Sequence, residues 1–437
     1  MRHLIVGAGP AGVIAAEQLR GLDPQAQITL LSGEAEPPYS RMAIPYLLSG
    51  KVGEAGTHLR AGDDHFAQAD IELITGRRAE GLDAGGRQVR LEGGGSLDFD
   101  TLLIATGASP WVPPIEGLGG RRVNACWTLE DARRILSAVQ DGSRVAMIGA
   151  GFIGSILIDA LGQKKLELTV IEAEDRMVPR MMDVDGGAII KAHCESRGVR
   201  VLTSTRVERV EGSDGEGPMT LALSDGQNIE ADLIVTATGV RPNVGFVEGS
   251  GMKLAPADAT GQGGIVVDDR MQTSLPNIYA AGDAAAGLDF SFQHRAVHGI
   301  QPTAADHARI AALNMAGKEA HYRGSLSMNV VETLGLTHYT FGRFQGIEGG
   351  QSARAADAAS KSYLRLEFSE GRLIGAIVVG AFEQVGILRG LIQSQIDLGA
   401  WIERLQQKPR RIVEAYLDAT GLGLTPPMLS ASTGSGV

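Results

Sequence analysis

Short apolar runs alternate with glycine turns and helical patterns at two places in the chain. In the first, the apolar run 4–6 leads into a glycine turn at 7–12 and then into an apolar helical pattern. In the second, the run 145–148 leads into a turn at 149–154 and a similar helical pattern. A β-rich run follows each helix, so the spacing predicts two strand–turn–helix–strand units.

Two later apolar runs, at residues 101–104 and 233–236, end in the same tripeptide, Ala-Thr-Gly. Prolines follow both tripeptides and mark exits from the two units. Another buried strand is predicted at 277–280. From about Tyr322 the pattern changes to alternating strands with helices after them, which indicates a separate α+β domain.

Composition narrows the class of protein. The chain has 437 residues, too many for one compact core, and its 43% hydrophobic and 21% charged residues are typical of globular proteins. A net charge of −11 argues against nucleic acid or an anionic membrane as the main partner. No apolar run reaches the roughly 18 residues of a membrane span and no leader pattern is visible, so we expect a cytoplasmic protein.

Cysteine chemistry is sparse. Cys126 and Cys194 are the only cysteines, they lie far apart, and neither belongs to a Cys-x-x-Cys pair. We therefore expect no disulfide framework and no metal site.

The two glycine turns match the pattern that binds a dinucleotide. The first glycine permits a tight bend, the second lets the backbone approach a pyrophosphate, and the third lets the helix pack on the strand. The anion then lies on the free amides at the start of the helix. The residues predicted to bind a dinucleotide are Gly7, Gly9, Pro10, Ala11 and Gly12 in the first turn and Gly149, Gly151, Phe152, Ile153 and Gly154 in the second.

The residue after the next strand selects the nucleotide. In the second unit this residue is Glu172, whose carboxylate accepts from a ribose 2′-hydroxyl and repels a 2′-phosphate, so NAD is favoured over NADP. Arg176 and Arg180 lie nearby, and we interpret them as salt-bridging surface residues rather than phosphate ligands. In the first unit Ser32 and Glu34 are the candidates for the ribose, and a plain Ser-Gly-Glu turn is the alternative.

Together these motifs resemble the two-dinucleotide-domain flavoproteins, a family that includes glutathione reductase, NADH oxidase, the NADH-binding part of nitrite reductase, rubredoxin and ferredoxin reductases, and apoptosis-inducing factor. The resemblance is strong from residue 1 to about 320 and looser beyond. It implies one FAD and one NAD(H) per chain. The FAD half combines the first unit with the segment that closes at Gly282 and Asp283, and the NAD half is inserted between them.

The same resemblance implies further contacts with FAD. Asp283 hydrogen-bonds the ribityl chain, Thr106 and Gly107 line the crossover, Ala79 touches the adenine side, and Arg41 lies along the cofactor. The remaining cofactor contacts that it implies are Ala105, Gly239 and Gly282.

A helix that opens at Gln301, Pro302 and Thr303 matches the one that the family aims at the flavin pyrimidine edge. Its free amides and positive end would stabilise an anionic reduced flavin. An ordinary helix with proline in its first turn is the alternative, and its position after Asp283 favours the flavin.

Departures from the family pattern bear on the chemistry. Met42 stands where peroxidase-like members carry a cysteine, so thiol-based reduction of disulfides or peroxides is excluded. Ile156 stands where many relatives have a glutamate near the nicotinamide. His294 and His298 precede the flavin-edge helix, but a lone loop histidine is more often a polar surface residue, so neither is assigned catalysis.

The predicted fold class is α/β, with two Rossmann-like dinucleotide-binding domains and a C-terminal α+β domain. The predicted segments are the first part of the FAD-binding domain at 1–118, the NAD-binding domain at 119–244, the second part of the FAD-binding domain at 245–320, the C-terminal domain at 321–426 and a flexible tail at 427–437.

The predicted function is an FAD-dependent NADH oxidoreductase without a redox-active disulfide. Electrons would pass between NAD(H) and an external partner through the flavin. We favour a small redox protein of ferredoxin, rubredoxin or cytochrome type. Oxygen or a quinone as acceptor, and an NADH-responsive sensor like apoptosis-inducing factor, are the alternatives; homodimer formation stays open.

Overall fold

The computed structural model describes residues 1–62, 64–256 and 263–421. It divides into two compact units, residues 1–336 and residues 337–437. The predicted tail at 427–437 lies outside the described residues, and the predicted domain boundaries within the first unit stay predictions.

The first unit contains two five-stranded parallel sheets. Their strands read as continuous apolar runs because both faces of a parallel sheet are covered. In spatial order, the first sheet consists of Ile278–Ala280, Thr101–Ile104, Arg2–Val6, Gln27–Leu31 and Ile71–Ile74. The second consists of Val123–Ala125, Leu233–Thr236, Arg144–Ile148, Glu167–Ile171 and Arg200–Leu202.

Four strands have the same order in the two sheets, but the outermost strand beside the Ala-Thr-Gly strand differs. It is Ile278–Ala280, from later in the chain, in the first sheet and Val123–Ala125, from before the glycine turn, in the second. Each central strand leads into a glycine turn and pairs with the next strand of its unit on one side and with the Ala-Thr-Gly strand on the other. Val6 is level with Leu31 and Ile104, so these strands end together beside the turn. Both predicted strand–turn–helix–strand units are thus confirmed, and the carboxyl ends of the parallel strands mark the expected ligand edge.

Each sheet carries a three-stranded antiparallel meander inserted before its Ala-Thr-Gly strand. The meanders consist of Ala79–Asp83, Gln88–Leu91 and Ser96–Asp98, and of Val207–Glu211, Met219–Leu223 and Asn228–Ala231. After the Ala-Thr-Gly tripeptides the chain crosses between the halves. Ala108–Pro110 and Val240–Pro242 pair there as an antiparallel ribbon.

Two helices of the first unit pack closely through small residues. The helix Pro10–Leu22 begins after the first glycine turn and buries Ala11, Ala15 and Ala16. The helix Gln301–Met315 buries several alanines of its own and lies against it. Alanine side chains let the two backbones approach, so the start of the second helix is held near the glycine turn.

The other elements of the first unit connect these layers. The helices are Ile44–Leu48, His65–Gln68, Leu129–Ala138, Phe152–Gly162 and Val184–Glu195, and the 3₁₀ turns are Arg41–Ala43, Glu54–Thr57, Gly245–Val247 and Gly282–Ala284. A small sheet contains Leu254–Ala255, Gly264–Val266, Ala285–Leu288 and Arg295–Ala296, and Met328–Thr333 is a further strand.

The second unit is an antiparallel sheet followed by helices. Its strands, in spatial order, are Leu336–Gly342, Arg372–Val379, Ser362–Ser369 and Gln351–Asp357. Its helices are Val385–Ser394, Trp401–Gln407 and Ile412–Ala419, with a 3₁₀ turn at Pro409–Arg411. The predicted fold class is confirmed. Within the described ranges, none of the helices is long and apolar enough to cross a membrane.

The third glycine of each turn sets how closely the helix approaches the strand. A Cβ atom added at Gly12 would lie 1.8 Å from the carbonyl oxygen of Gly7, and one at Gly154 would lie 2.3 Å from that of Gly149. Both distances are far inside van der Waals contact. By contrast, a Cβ at Gly151 would meet nothing within 4 Å.

We therefore expect Gly154→Ala to destabilise the half of the first unit that contains the second sheet, because the new methyl group overlaps backbone that cannot move away. The loss should be at least about 1–3 kcal/mol of unfolding free energy, the usual cost of overpacking. Gly151→Ser is the matched control, since serine suits a helix N-cap and should change stability by less than about 0.5 kcal/mol. Chemical denaturation without added NADH measures both, and equal stabilities for the two variants would contradict this packing account.

Candidate functional site

The first glycine of each turn has a conformation that other residues rarely adopt. Gly7 has φ 111° and Gly149 has φ 102°. A Cβ at Gly7 would lie 2.1 Å from the carbonyl oxygen of Ala105, and one at Gly149 would lie 2.5 Å from that of Ala237. The turns therefore pack against the two Ala-Thr-Gly segments, backbone to backbone.

The second glycine of each turn faces open space. Gly9 and Gly151 are the N-caps of their helices, neither cap has a side-chain hydrogen bond, and a Cβ added at either would meet nothing within 4 Å. Pro10, Ala11, Phe152 and Ile153 form the first helical positions after these caps. This geometry fits a pyrophosphate, which needs free amides and room beside a positive helix end.

Glu172 lies directly beside the second turn. Its Oε2 accepts from the backbone N–H of Ala150 at 2.7 Å, its Oε1 accepts from that of Glu174 at 2.9 Å, and the residue is 7% exposed. These two bonds fix the carboxylate and leave it further lone pairs. Arg176 forms an ion pair with Asp175 at 2.5 Å and donates to the carbonyl of Met182, so its guanidinium is held by its own loop.

In the half that contains the first sheet, Glu34 accepts hydrogen bonds from two neighbouring side chains. Arg41 donates to its Oε1 at 2.6 Å, and the hydroxyl of Tyr39 donates to its Oε2 at 2.5 Å. Ser32 is buried and donates to the backbone carbonyl of Glu34 at 3.0 Å, which is the hydrogen bond of a plain turn. The Glu34 carboxylate thus holds Arg41 in place, a role that the sequence did not indicate.

Arg41 also reaches the half that contains the second sheet. It donates to the carbonyl oxygen of Trp127 at 2.7 Å, and its guanidinium carbon lies 5.5 Å from the centroids of the Tyr39 and Trp127 rings. The indole of Trp127 in turn donates to the carbonyl of Ala108 at 2.8 Å, beside the crossover ribbon. Arg41 is therefore a joint between the two halves as well as a candidate cofactor ligand.

Asp283 is a carboxylate without a partner in the described part of the chain. Burial raises its pKa to about 6, and the charge of Arg41 opposes that rise. Gly282 has φ 68°, and a Cβ there would lie 3.4 Å from Ala11 and 3.5 Å from Ala304, so it lies between the two alanine-rich helices. A partly buried carboxylate at this position fits the hydroxyl-rich ribityl chain of FAD, since hydroxyl donors would satisfy it.

Thr106 and Gly107, where the chain crosses between the halves, are hydrogen-bonded to Asn243. Thr106 donates to the carbonyl of Asn243 at 2.7 Å, the amide nitrogen of Asn243 donates back to the carbonyl of Thr106 at 3.0 Å, and the backbone N–H of Asn243 donates to Gly107 at 2.9 Å. In the other half, the backbone N–H of Trp111 donates to Gly239 at 2.9 Å. Asn243 belongs to no recognisable motif, so the sequence did not indicate its role at the crossover.

The remaining candidates also lie around this edge. Ala79 begins the first meander, next to Arg78, against which Gly33 packs. The N-cap of the helix Gln301–Met315 has no side-chain hydrogen bond, so its side chain does not occupy the first backbone N–H groups of the helix. Two of the predicted residues at the start of this helix are hydrogen-bonded to neighbouring loops: Gln301 accepts from Ser40 at 3.1 Å, and Thr303 donates to Ser325 at 3.3 Å. Pro302 stands in the first turn.

Neither cysteine has the character of a redox thiol. Cys126 and Cys194 are both buried, and burial raises the pKa of each thiol to about 12. Both thiols are therefore protonated near neutral pH and are poor nucleophiles. Met42, at the position of the family cysteine, is 46% exposed. Within the described ranges no cluster of metal-ligating side chains is found.

His298 differs from the polar surface residue that the sequence suggested. Its side chain is 10% exposed, and Nε2 lies 3.0 Å from Oδ2 of the buried Asp289. His294, four residues earlier in the same loop, is exposed. The acidic partner is nine positions away along the chain with no motif between the two, so no sequence signal paired them.

The chain is similar in sequence to proteins of known family. Residues 1–314 match the model of the pyridine nucleotide-disulphide oxidoreductase family. The chain is 30% identical to the epsilon subunit of an NADH-dependent phenylglyoxylate dehydrogenase from Aromatoleum evansii, over 96% of this chain and 98% of that one. It is 32% identical to a probable ferredoxin reductase from Castellaniella defragrans, over 72% of this chain and 76% of that one.

A solved structure gives the same picture. An NAD-dependent persulfide reductase from A. fulgidus superposes with a TM-score of 0.83 at 28% identity, over 91% of this chain and 78% of that one. The family resemblance inferred from the motifs is confirmed, and with it an oxidoreductase whose cofactors are FAD and NAD(H). The chain belongs to the pyridine nucleotide-disulphide oxidoreductase family.

Proposed function

We propose that this protein passes electrons between NAD(H) and a separate redox protein, through FAD and without a thiol relay. The observation that carries the proposal is the state of the two cysteines, since both are buried and both thiols have a pKa of about 12. Met42 is a thioether at the place where a relay thiol would stand. Electrons that reach the flavin must therefore leave it directly.

The relatives support a protein partner. One is named as a subunit of an NADH-dependent dehydrogenase and matches this chain over nearly its whole length. Another is named as a probable ferredoxin reductase. We infer that the partner here is likewise an electron-carrying protein of ferredoxin type, or a neighbouring subunit of a redox complex that carries such a centre.

The chain's own residues bind and orient the two dinucleotides. Gly9 and Gly151 offer helix-start amides to the two pyrophosphates, and Asp283 offers its carboxylate to the ribityl chain. When bound, FAD supplies the chemistry, because it exchanges a hydride with NADH and single electrons with other carriers. Arg41 fixes the spacing between the halves through the carbonyl of Trp127, and correct spacing is what hydride transfer requires of the protein.

Glu172 sets the choice of nucleotide in this proposal. Its carboxylate is held by the backbone of the glycine turn, so it cannot swing away from an incoming phosphate. A fixed negative charge there accepts a hydrogen bond from the ribose 2′-hydroxyl of NADH and repels the 2′-phosphate of NADPH.

We expect Glu172→Ala to narrow the preference for NADH over NADPH, expressed as the ratio of the two kcat/KM values. Loss of a charged hydrogen bond is worth roughly 1.5–3 kcal/mol, so the ratio should fall at least about tenfold. Glu174→Ala is the control, because Glu174 is exposed and binds Glu172 only through its backbone N–H. If the wild-type protein used NADPH at least as efficiently as NADH, Glu172 would not select the nucleotide.

The proposed electron route is tested by anaerobic stopped-flow mixing. Holoprotein reduced with one equivalent of NADH is mixed with oxidised ferredoxin, cytochrome c, a quinone analogue or oxygen in parallel. We expect fast flavin reoxidation by at least one protein carrier and slower reoxidation by oxygen. If oxygen or the quinone reoxidises the flavin faster than every protein carrier, the oxidase alternative replaces this proposal. A reduced state that persists with all acceptors would instead favour a sensor.

A further inference from the structure

A histidine–aspartate pair lies beside the start of the helix Gln301–Met315. Nε2 of His298 is 3.0 Å from Oδ2 of Asp289, and the two side chains are 10% and 3% exposed. Asp289 follows the strand Ala285–Leu288, and His298 follows the strand Arg295–Ala296. Two paired strands therefore bring the two side chains together from either side of a loop.

The aspartate is rigidly held and charged. Its Oδ1 accepts from the backbone N–H groups of Ser291 at 2.6 Å and Phe292 at 2.9 Å, which leaves Oδ2 for the histidine. Burial alone would raise the pKa of Asp289, but His298 and the two backbone donors outweigh burial and lower it. The carboxylate is thus ionised near neutral pH and stabilises a positive charge on the imidazole.

The pair borders the proposed flavin site. Gly299 directly follows His298, and a Cβ added at Gly299 would lie 3.5 Å from Oδ2 of Asp283. The carbonyl of His298 accepts from the backbone N–H of Ile300, which is the N-cap of the helix predicted to face the flavin. His298 is therefore the chain neighbour of a residue that lies against Asp283, whose carboxylate is proposed to bind the ribityl chain.

Other titratable groups near His298 do not fill the same role. His307 lies in the helix Gln301–Met315 itself, and its pKa is lowered to about 3, first by burial and then by the charge of His298, so it stays neutral. Tyr322 packs edge-on against His307 with ring centroids 4.8 Å apart, and burial raises its pKa. The side-chain atoms of Asp283 are the heavy atoms nearest to a Cβ added at Gly299. Its carboxylate is the group proposed to bind the cofactor.

Electron transfer to single-electron carriers leaves a proton at the site. Oxidation of one NADH yields NAD⁺, two electrons and one proton, and a one-electron carrier takes only the electrons. One proton per NADH must then reach solvent. A histidine paired with a carboxylate is an arrangement that proteins use to accept such a proton.

We propose that His298 carries this proton from the flavin site to solvent, with Asp289 as its positioning residue. This inference rests on the proposed direct electron route. Nδ1 of neutral His298 takes up the proton while Nε2 stays against Asp289, and the imidazolium then releases the proton through its exposed edge. No bond other than N–H forms or breaks in this step.

The test compares His298→Gln with His294→Gln, a matched loop histidine that is exposed. Holoprotein reduced with NADH is mixed with ferricyanide, a one-electron acceptor, in weak buffer with a pH indicator. Absorbance of ferricyanide follows the electrons and the indicator follows the proton. In wild type and His294→Gln the two signals should coincide. In His298→Gln proton release should slow at least about tenfold, and added imidazole should restore it in His298→Ala.

A second readout does not depend on turnover. In the resting oxidised protein, ¹⁵N NMR should find the proton of the neutral His298 ring on Nε2, and Asp289→Asn should weaken that preference because Nε2 loses the carboxylate 3.0 Å away. Equal proton release in the two glutamine variants, or an unchanged preference for Nε2 in Asp289→Asn, overturns the inference. Failure of NADH to reduce the wild-type flavin, or of ferricyanide to reoxidise it, would instead overturn the proposed function.

Discussion

The contact between each glycine turn and its Ala-Thr-Gly segment is the constraint on which both halves of the first unit depend. No side chain fits between Gly7 and the carbonyl of Ala105, or between Gly149 and that of Ala237. The turn, the helix after it and the crossover are therefore one rigid group in each half. The helix of that group offers its first backbone N–H groups to a ligand. From the Ala-Thr-Gly segment the chain continues towards the other half.

Polar contacts then join the two rigid groups. Asn243 locks the crossover through Thr106 and Gly107, and Arg41 reaches across to Trp127. Arg133, in the half that contains the second sheet, adds an ion-pair network, donating to Glu54 at 2.7 and 2.9 Å and to Glu36 at 2.6 Å. Exposed pairs of this kind each contribute little stability. Their shared effect is to fix the spacing of two binding surfaces, which matters more for hydride transfer than for folding.

Much of this arrangement could be predicted from the sequence, because it repeats. The spacing of glycines, the apolar runs and the paired Ala-Thr-Gly tripeptides depend on local backbone geometry, which sequence reports directly. The strand order follows from the duplicated units. The carboxylate at Glu172 was likewise visible from its position after a strand.

Contacts between distant segments could not be predicted in the same way. Glu34 is a candidate ribose ligand by its position in the sequence, and in the structure it also holds Arg41, because Tyr39 and Arg41 fold back onto it. Asn243 and Trp127 belong to no motif, and their roles depend on the crossover between halves. His298 looked like a loop histidine until strand pairing placed Asp289 beside it. Each of these depends on tertiary contacts, about which residue type alone says little.

The central claim is that electrons reach and leave the flavin without a thiol relay. Its most direct measurement is an anaerobic titration of purified holoprotein with NADH, followed by flavin absorbance. A chain with only a flavin takes up two electrons, so one equivalent of NADH per FAD should complete the bleaching. A requirement for two equivalents, with an intermediate thiolate-to-flavin charge-transfer band, would reveal a redox-active sulfur pair and contradict the account.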